Sequence, residues 1–342
     1  MRIGIVGYQG SGKSTVFEWL TGVAPDPALS HAGQTAMAAV PESRVAPLCE
    51  VYHPKKVTLA SLELVDTPGL SRTHEGNAAR LGQIREAGCL VIVAAGFAGA
   101  DPLADAGSMT EDFLLTDMEI VTGRIARLRE SVKKPRPSRD QELAELATLE
   151  IVLAALERGQ SLAESGLSDE QLKATRSFCL LSQKPALVLV NLADDEPRPE
   201  RFGRQTPQGM PLMAAAASLR VELSRMDEAD RAEFEREMSV PGPDRDEVLR
   251  KILDVSGQIL YFTAGEKEVR TWLLPRGGTA LAAADNVHSD LARGFIRAET
   301  VSAADLIRLG SEREVKAQNL MRQEPKDYVV QDGDVLHIRF SV

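Results

Sequence analysis

The chain alternates between short apolar runs and longer segments whose apolar residues recur at helical spacing. The short runs contain β-branched residues and end in glycine or polar residues, a pattern typical of strands buried in a parallel sheet. These runs cover residues 1–6, 57–65, 90–93, 185–190 and 210–214. Helical segments follow at residues 16–21, 75–87, 218–238 and 244–257. The alternation predicts an α/β fold built on a doubly wound parallel sheet.

Two long helical stripes interrupt this alternation. Apolar positions recur every three or four residues over residues 109–132 and again over residues 143–156. The segment between them, residues 133–140, contains two prolines and four cations. Such a pair predicts an antiparallel α-helical hairpin, inserted into the core domain and projecting from it.

Beyond residue 258 the pattern changes to short strands, and the last one alternates over residues 336–340. The sequence Gln-Asp-Gly-Asp just before it predicts a turn. These features are consistent with a small ubiquitin-like β-grasp module. We therefore predict a core domain of residues 1–107 and 183–257, an inserted helical domain of residues 108–182 and a C-terminal domain of residues 258–342.

Composition excludes several classes of protein. The chain has 342 residues, enough for two or three domains, and its 43% hydrophobic and 26% charged residues are ordinary for a globular protein. Its longest nearly uncharged apolar run, residues 89–100, is too short to span a bilayer. Three widely spaced cysteines and the lack of a leader before residue 7 favour a cytoplasmic protein. The net charge of −10 argues against nucleic-acid binding by the whole surface, although a local basic patch can still bind.

The segment from Gly7 to Thr15 has the pattern G-x-x-x-x-G-K-S between a predicted strand and a predicted helix. That context is typical of a phosphate-binding loop, whose main-chain N–H groups surround an anion at a helix N-terminus. Lys13 would neutralise the β- and γ-phosphates, and the Ser14 hydroxyl would hold Mg²⁺. The predicted phosphate-binding residues are Gly10, Ser11, Gly12, Lys13, Ser14 and Thr15.

A second motif, Asp66-Thr67-Pro68-Gly69, follows the predicted strand at residues 57–65. It would place the Asp66 carboxylate near the Mg²⁺ ion and leave the Gly69 N–H free to meet a γ-phosphate. Thr35, in a polar stretch at residues 31–35, is a candidate switch threonine that reaches Mg²⁺. The candidate catalytic residues are thus Lys13, Thr35 and Gly69, and the candidate metal ligands are Ser14, Thr35 and Asp66.

A third motif, Asn191-Leu192-Ala193-Asp194, follows the predicted strand at residues 185–190. Base-recognising loops of GTPases have N-K-x-D here, with the aspartate accepting two hydrogen bonds from guanine and the lysine stacking on the base. Asn191, Leu192 and Asp194 are therefore candidate nucleotide-binding residues, although Leu192 replaces the lysine. The motif leaves the choice between ATP and GTP open.

Together these motifs resemble the YchF or Obg-like ATPase family, which belongs to the translation-factor class of P-loop proteins. The resemblance covers essentially the whole chain. It also rests on C-terminal strings at residues 261–265, 267–272, 293–299 and 326–334, which are similar to that family's TGS domain. It implies a P-loop domain, an inserted helical domain and a TGS domain that contacts RNA or protein. Family members usually carry N-x-x-E, which the resemblance ties to adenine preference, so Asp194 is a departure; we favour ATP.

The catalytic apparatus departs from familiar patterns. Leu70 stands where Ras-like proteins have the glutamine that orients the attacking water, and leucine cannot hydrogen-bond water. The resemblance also implies a mobile loop with a histidine that assists hydrolysis. The matching loop here, residues 97–107, has no histidine, and by counting the position falls near Ala104. His74 is the nearest histidine to the site. We therefore expect slow intrinsic hydrolysis.

These observations favour a YchF-like switch that binds and slowly hydrolyses ATP, or GTP, with Mg²⁺ and acts with the ribosome or RNA. The RNA contacts would come from the TGS domain and from the hairpin tip, whose cations are Lys133, Lys134, Arg136 and Arg139. The alternative for the tip is a solvated turn. The alternatives for the protein are a nucleotide-binding module with negligible hydrolysis and a GTP-specific GTPase that uses Asp194. We expect a monomer with no membrane partner.

Overall fold

The computed structural model describes residues 1–29, 32–73, 76–196, 198–237, 240 and 242–341. The chain divides into two units, of which the first comprises residues 1–36 and 64–243. The second comprises residues 37–63 together with the chain from residue 244 onward. The sequence-based boundaries differ, because they place residues 37–63 and 244–257 in the nucleotide-binding domain.

Twelve strands lie in the described part of the chain. In chain order they are β1 (Arg2–Val6), β2 (Gln34–Ala39), β3 (Val57–Thr58), β4 (Ser61–Asp66), β5 (Cys89–Gly96), β6 (Ala186–Leu192), β7 (Leu212–Ala215), β8 (Gln258–Ala264), β9 (Val269–Pro275), β10 (Phe295–Ser302), β11 (Arg322–Glu324) and β12 (Asp334–Phe340).

Thirteen α-helices connect the strands in the same described ranges. They are α1 (Lys13–Thr21), α2 (Val45–Tyr52), α3 (Asn77–Ile84), α4 (Pro102–Ser131), α5 (Arg139–Glu157), α6 (Asp169–Thr175), α7 (Ala217–Arg225), α8 (Glu228–Glu237), α9 (Arg245–Val255), α10 (Ala280–Val287), α11 (Ser289–Arg293), α12 (Ala303–Leu309) and α13 (Glu312–Ala317). None of these helices combines the length and apolarity needed to cross a bilayer.

The first sheet has the order β2-β4-β1-β5-β6-β7, and the pairs β1–β5, β5–β6 and β6–β7 are parallel. Its central strands are apolar along their length because helices cover both faces; only the last residue of β5 is not fully buried. This arrangement confirms the predicted α/β fold with a parallel sheet. The carboxyl ends of β1, β4 and β6 carry the three motifs found in the sequence.

The helical hairpin is formed by α4 and α5, as the sequence predicts. Its core is made of apolar residues that face each other across the pair, including Val121, Ile125, Leu149 and Val152. Helix α4 begins seven residues before the predicted position, because Asp101 caps it: the carboxylate accepts hydrogen bonds from the N–H groups of Leu103 and Ala104, and a proline occupies the first turn. Much of the loop expected at residues 97–107 is therefore helical.

Two other predicted elements are divided. The strand expected at residues 57–65 becomes β3 and β4, because Val57 and Thr58 pair with β9 in the second sheet. The helix expected at residues 218–238 becomes α7 and α8, because the Asp227 carboxylate accepts the Asp230 N–H and starts a new helix. The predicted helix start at residue 75 and end at residue 238 lie outside the described residues.

The second unit contains a mixed sheet of order β11-β10-β12-β8-β9-β3. Strands β8 and β9 pair antiparallel, as do β10 and β12, while β12 runs parallel to β8. Helix α2 packs on this sheet: Val45 and Leu48 lie in one apolar cluster with Phe262, Val269 and Leu306. Residues 37–63 belong to this unit because they supply both a helix and an edge strand to it.

Candidate nucleotide-binding site

The glycine-rich loop connects β1 to α1, and its backbone requires glycine at two positions. A Cβ atom on Gly7 would lie 2.5 Å from the Val93 carbonyl oxygen. Gly12 has a φ of 85°, and a Cβ atom there would lie 2.1 Å from Asn191 Nδ2. The loop is therefore packed tightly against β5 and β6 on one side, while Gly10 and Gln9 face open space.

Lys13 is the first residue of α1 and is 7% exposed. Its ammonium group donates to the Tyr8 carbonyl oxygen over 3.1 Å. Burial lowers the pKa of Lys13, and the nearby Asp66 carboxylate opposes that shift. A Cβ atom on Gly69 would lie 2.9 Å from Lys13 Nζ. The structure thus brings together Lys13 and Gly69, which the sequence assigned to one site.

The Ser14 hydroxyl donates to Asp66 Oδ2 over 2.6 Å. The other carboxylate oxygen, Asp66 Oδ1, is buried and has no hydrogen-bond partner among the described residues. Burial raises the pKa of Asp66, whereas the Ser14 hydrogen bond and the Lys13 charge lower it. A hydroxyl and a carboxylate oxygen are ligands that Mg²⁺ accepts, and an unpartnered carboxylate oxygen fits such an ion.

No cluster of three or more histidine, cysteine, aspartate or glutamate residues in the described ranges could hold a metal by itself. Ser14 and Asp66 offer a hydroxyl and a carboxylate, so an octahedral Mg²⁺ ion there would take its other ligands from phosphate or water oxygens. This agrees with the chemistry of Mg²⁺, which protein sites usually bind through one or two carboxylates plus phosphate groups.

These residues line a cavity of about 290 Å³. Its lining residues are Gln9, Gly10, Lys13, Ser14, Pro25, Asp26, Pro27, Leu29, Gln34, Asp66, Thr67 and Gly69. The sequence motifs did not identify Gln34, whose side-chain amide accepts the Asp26 N–H over 2.7 Å and donates to the Ala24 carbonyl over 3.1 Å. Gln34 therefore fixes the irregular wall of the cavity.

Thr35 does not line this cavity. It lies in β2 rather than in an irregular stretch, and its side chain is exposed. Successive side chains of a strand point to opposite faces, so Thr35 lies on the face opposite Gln34. The structure does not bring Thr35 together with Ser14 and Asp66.

Leu70 is fully buried in the apolar core beside Val6 and Tyr8. Its N–H donates to the Gly7 carbonyl over 3.0 Å, and its carbonyl accepts the Gln9 N–H over 2.9 Å. Leu70 thus holds the second motif against the phosphate-binding loop, and its side chain offers no polar group to the cavity.

A second cavity, of about 420 Å³, shares Gln9 and Gly10 with the first. It is also lined by Arg72, by Asp105 and by residues 97–101. Ala104, at the position counted for the family's histidine, lies in the first turn of α4. His74 lies outside the described residues.

The base-recognition motif lies at the end of β6. Asn191 is 5% exposed; its amide group donates to the Ser11 carbonyl, and its carbonyl accepts the Ala217 N–H. Leu192 is 2% exposed and packs in the core, so it offers almost no surface to a base. Asp194 is exposed, and its Oδ1 accepts the Leu219 N–H over 3.1 Å. Of the three predicted residues, only Asp194 has an accessible side chain.

Comparison with known proteins identifies the family of this chain. A protein from Haemophilus influenzae named ribosome-binding ATPase YchF is 32% identical over an alignment of 363 positions, which covers 100% of this chain and 99% of the relative. The chain belongs to the YchF family. Another YchF protein, from Bacillus subtilis, is 29% identical with full coverage of both chains. The Obg-like ATPase 1 of Oryza sativa is 32% identical over 100% of this chain and 92% of the relative.

Family models and a solved structure agree with the YchF assignment. Residues 2–122 match a family model described as a 50S ribosome-binding GTPase. Residues 258–341 match the YchF-GTPase_C model, which is described as a protein of unknown function. The solved structure of the Schizosaccharomyces pombe YchF GTPase has the same fold, with a TM-score of 0.83 at 24% identity, and covers 99% of this chain and 97% of that one.

Proposed function

We propose that this YchF-family chain binds a purine nucleoside triphosphate with Mg²⁺ and hydrolyses it slowly. The observation that carries the proposal is the convergence of Lys13, Ser14, Asp66 and Gly69 on one cavity. Main-chain N–H groups at a helix N-terminus, a lysine and a hydroxyl beside a carboxylate form the usual phosphate and Mg²⁺ site of P-loop proteins.

Each residue has a distinct role in the proposal. Lys13 offers its ammonium group to the β- and γ-phosphates and exchanges its bond to the Tyr8 carbonyl for a phosphate oxygen. The Gly69 N–H meets the γ-phosphate, and Ser14 and Asp66 hold Mg²⁺. A bound Mg²⁺ ion neutralises charge that develops on the phosphates. Thr35 reaches this ion only if β2 changes its local conformation, as switch segments do when triphosphate binds.

Calorimetry on the wild-type chain and on Lys13→Ala tests this proposal. We expect heat of binding with MgATP or MgGTP for the wild type and at least tenfold weaker binding for Lys13→Ala. If the folded wild-type chain gives no heat with either nucleotide, the proposal is wrong.

We propose ATP as the preferred nucleotide, because the relatives from Haemophilus influenzae and Oryza sativa are named ATPases, although the Schizosaccharomyces pombe relative is named a GTPase. Asp194 is the residue that opposes this choice, since an accessible aspartate at that position suits guanine. Competition of labelled ATP against unlabelled GTP distinguishes the two. GTP binding at least tenfold tighter, about 1.4 kcal/mol, would reverse the preference.

The burial of Leu70 supports slow intrinsic hydrolysis and gives a second candidate function, a nucleotide-binding module with negligible turnover. Single-turnover phosphate release, with and without ribosomes, separates these functions. We expect a slow rate that exceeds the rate of Lys13→Ala and rises with ribosomes. A rate equal to that of Lys13→Ala under both conditions would favour the module.

We propose that the ribosome or its RNA is the partner, since the bacterial relatives are named for ribosome binding. At the hairpin tip Lys133 pairs with Glu130 over 2.6 Å, and the Arg139 side chain donates to the Val132 carbonyl. Lys134 and Arg136 are exposed and carry most of the proposed phosphate contacts. Changing both to alanine should lower the salt slope of RNA binding by about 0.7 per lost contact. If the salt slope is unchanged, the hairpin tip does not contact RNA phosphates.

The second unit contains the mixed sheet, for which we propose a binding role. We propose that its sheet is a TGS-type module that contacts RNA or protein, and that the chain acts as a cytoplasmic monomer. Support comes from the β-strand pattern after residue 258 and from the match to the YchF-GTPase_C model over residues 258–341. Light scattering of the purified chain tests the oligomeric state.

A further inference from the structure

The loop that follows Gly69 is fixed at its centre. The Asn77 side chain is 5% exposed; its Oδ1 accepts the Ser71 N–H over 2.8 Å, and its Nδ2 donates to the Ser71 carbonyl over 2.9 Å. On the other side Leu70 is held by two main-chain bonds to the phosphate-binding loop. The backbone immediately before Arg72 is therefore locked to the nucleotide site.

The Arg72 side chain reaches back over that site. Its guanidinium lies 4.9 Å from the centre of the Tyr8 ring and forms an ion pair with Asp105. Tyr8 is itself held, since its hydroxyl donates to Asp112 over 3.2 Å. The cavity beside Arg72 also reaches Ser11, whose hydroxyl oxygen is buried without a hydrogen-bond partner in the described structure.

Charge makes Arg72 unusual among its neighbours. Among the described residues that line the two cavities, Lys13 and Arg72 are the cations. The cavities adjoin at Gln9 and Gly10, so the two cations line neighbouring cavities that share these loop residues. A triphosphate held by Lys13 in one cavity would therefore have a guanidinium available in the adjoining one.

The bond that holds Arg72 is weak enough to be exchanged. The Arg72 side chain is 53% exposed while that of Asp105 is 18% exposed, so water screens the guanidinium end of the pair. A guanidinium can bind a phosphate through two parallel hydrogen bonds, which are stronger than ordinary ones. A phosphate oxygen can therefore compete with Asp105 for Arg72.

We propose that Arg72 is a catalytic residue that contacts the terminal phosphate and stabilises the charge that develops there during hydrolysis. Asn77 is the positioning residue that fixes the loop. This inference rests on the proposed function. In the reaction, a bond forms between the water oxygen and the γ-phosphorus, the bond from that phosphorus to the bridging oxygen breaks, and the proton that the water loses passes to solvent. The electron pair goes to the leaving diphosphate, and Arg72 keeps its proton throughout.

The test compares Arg72→Ala and Arg72→Lys with the wild type and with Arg129→Ala. Arg129 is a matched control, because it is also an exposed arginine paired with a carboxylate, Glu150, on the helical hairpin. Two quantities are measured with whichever of MgATP or MgGTP binds more tightly. They are the single-turnover rate and the ratio of affinities for a non-hydrolysable triphosphate analogue and the diphosphate.

We expect Arg72→Ala to lower the rate at least tenfold and to reduce the affinity ratio, with the thermal midpoint unchanged. Arg72→Lys should recover part of the rate, and Arg129→Ala should stay within twofold of the wild type. A rate for Arg72→Ala within twofold of the wild type overturns the inference, whatever its affinity.

The outcomes separate this inference from the proposed function. If the wild type and Arg72→Ala hydrolyse nucleotide at the same rate, the proposed role of Arg72 is wrong but the proposed function stands. If the wild type binds without measurable turnover, the affinity ratio decides: a reduced ratio supports the phosphate contact and an unchanged ratio refutes it. If the wild type binds no nucleotide, both proposals are wrong.

Discussion

Asn191 bonds to Ser11 across 180 positions of sequence, its amide Nδ2 donating to the Ser11 carbonyl over 3.3 Å. The same side chain accepts the Ala217 N–H over 3.2 Å. One buried amide therefore joins the phosphate-binding loop to the start of α7. Both ends of the Asn191 side-chain amide are thus engaged by main-chain groups.

Asn191→Ala should destabilise the fold and weaken nucleotide binding. The substitution leaves the Ser11 carbonyl and the Ala217 N–H buried without partners, which costs about 1–3 kcal/mol. Urea unfolding measures the stability loss, and calorimetry measures the affinity. Unchanged stability and affinity would show that the two hydrogen bonds contribute nothing.

Gly12→Ala should disrupt nucleotide binding and the fold far more than the same substitution at an unconstrained glycine. The new methyl group would overlap the Asn191 amide, and the φ of 85° is unfavourable for alanine. Gly123→Ala is the control, since Gly123 lies within α4 with no atoms near its added Cβ. We expect Gly12→Ala to abolish nucleotide binding, and Gly123→Ala to stabilise the chain by about 0.5–1 kcal/mol. Equal melting temperatures for the two variants would contradict this.

Asp117→Ala should be strongly destabilising. Asp117 is fully buried, pairs with Arg85 over 2.8 Å and accepts the Ser182 N–H over 2.8 Å. Removal leaves the Arg85 charge in a mostly buried site, at a cost of about 3–5 kcal/mol. Glu150→Ala, which removes the exposed partner of Arg129, should cost at most about 1 kcal/mol. Chemical denaturation of both variants provides the comparison.

Leu48→Ala tests the packing of residues 37–63 with the C-terminal sheet. Leu48 is fully buried in the cluster that contains Phe262 and Val269, so truncation should cost about 2–5 kcal/mol. Leu115→Ala, at a position 58% exposed, should change stability by less than about 0.5 kcal/mol. If both variants unfold at the same urea concentration, α2 does not pack on that sheet.

The cysteines should differ in reactivity. Cys179 is exposed, whereas Cys89 is buried, and burial raises the pKa of Cys89 to about 12. At pH 8 a thiol reagent should modify exposed Cys179 fastest, half-buried Cys49 more slowly and Cys89 only on unfolding, so Cys179→Ser should remove the fastest phase. Rapid labelling that persists in Cys179→Ser would contradict this assignment.

The same thiol gives a pH dependence with a definite sign. Its pKa is raised from 9.0 in the unfolded chain to about 12 in the fold, so the fold holds the proton more tightly. The stabilisation is fully present below pH 9 and is lost as the pH rises towards 12. Unfolding free energies of the wild type and Cys89→Ala should therefore converge over that interval. If the difference in unfolding free energy between the two proteins does not change with pH, the pKa of Cys89 is not raised in the fold.

Sequence patterns were sufficient to predict the features that depend on residues close together in the chain. The glycine spacing between Gly7 and Thr15, the apolar β5 run and the helical stripes of α4 and α5 predict elements that the structure contains. The contact between Ser14 and Asp66 was also predictable, because Ser14 lies in the loop-and-helix segment after β1 and Asp66 ends the neighbouring strand β4.

The unpredicted features depend on distant partners. The chain between β2 and β4 has no composition that distinguishes it from the nucleotide-binding domain, and only its contacts with distant residues, the β3–β9 pairing and the packing of α2, assign it to the second unit. Arg72 and Gln34 belong to no motif, and their importance appears only when the cavity walls are known. Leu192 follows a recognised pattern, yet the core environment at the end of β6 buries it.

The placement of β3 has a consequence for biosynthesis. The Thr58 hydroxyl donates to Glu268, 210 positions later in the chain. At about 5–20 residues per second, translation would deliver that partner roughly 10–40 s after β3 itself. During this interval Val45 and Leu48 lack the strands that later cover them, so these apolar side chains stay exposed on the growing polypeptide until the C-terminal sheet has been made.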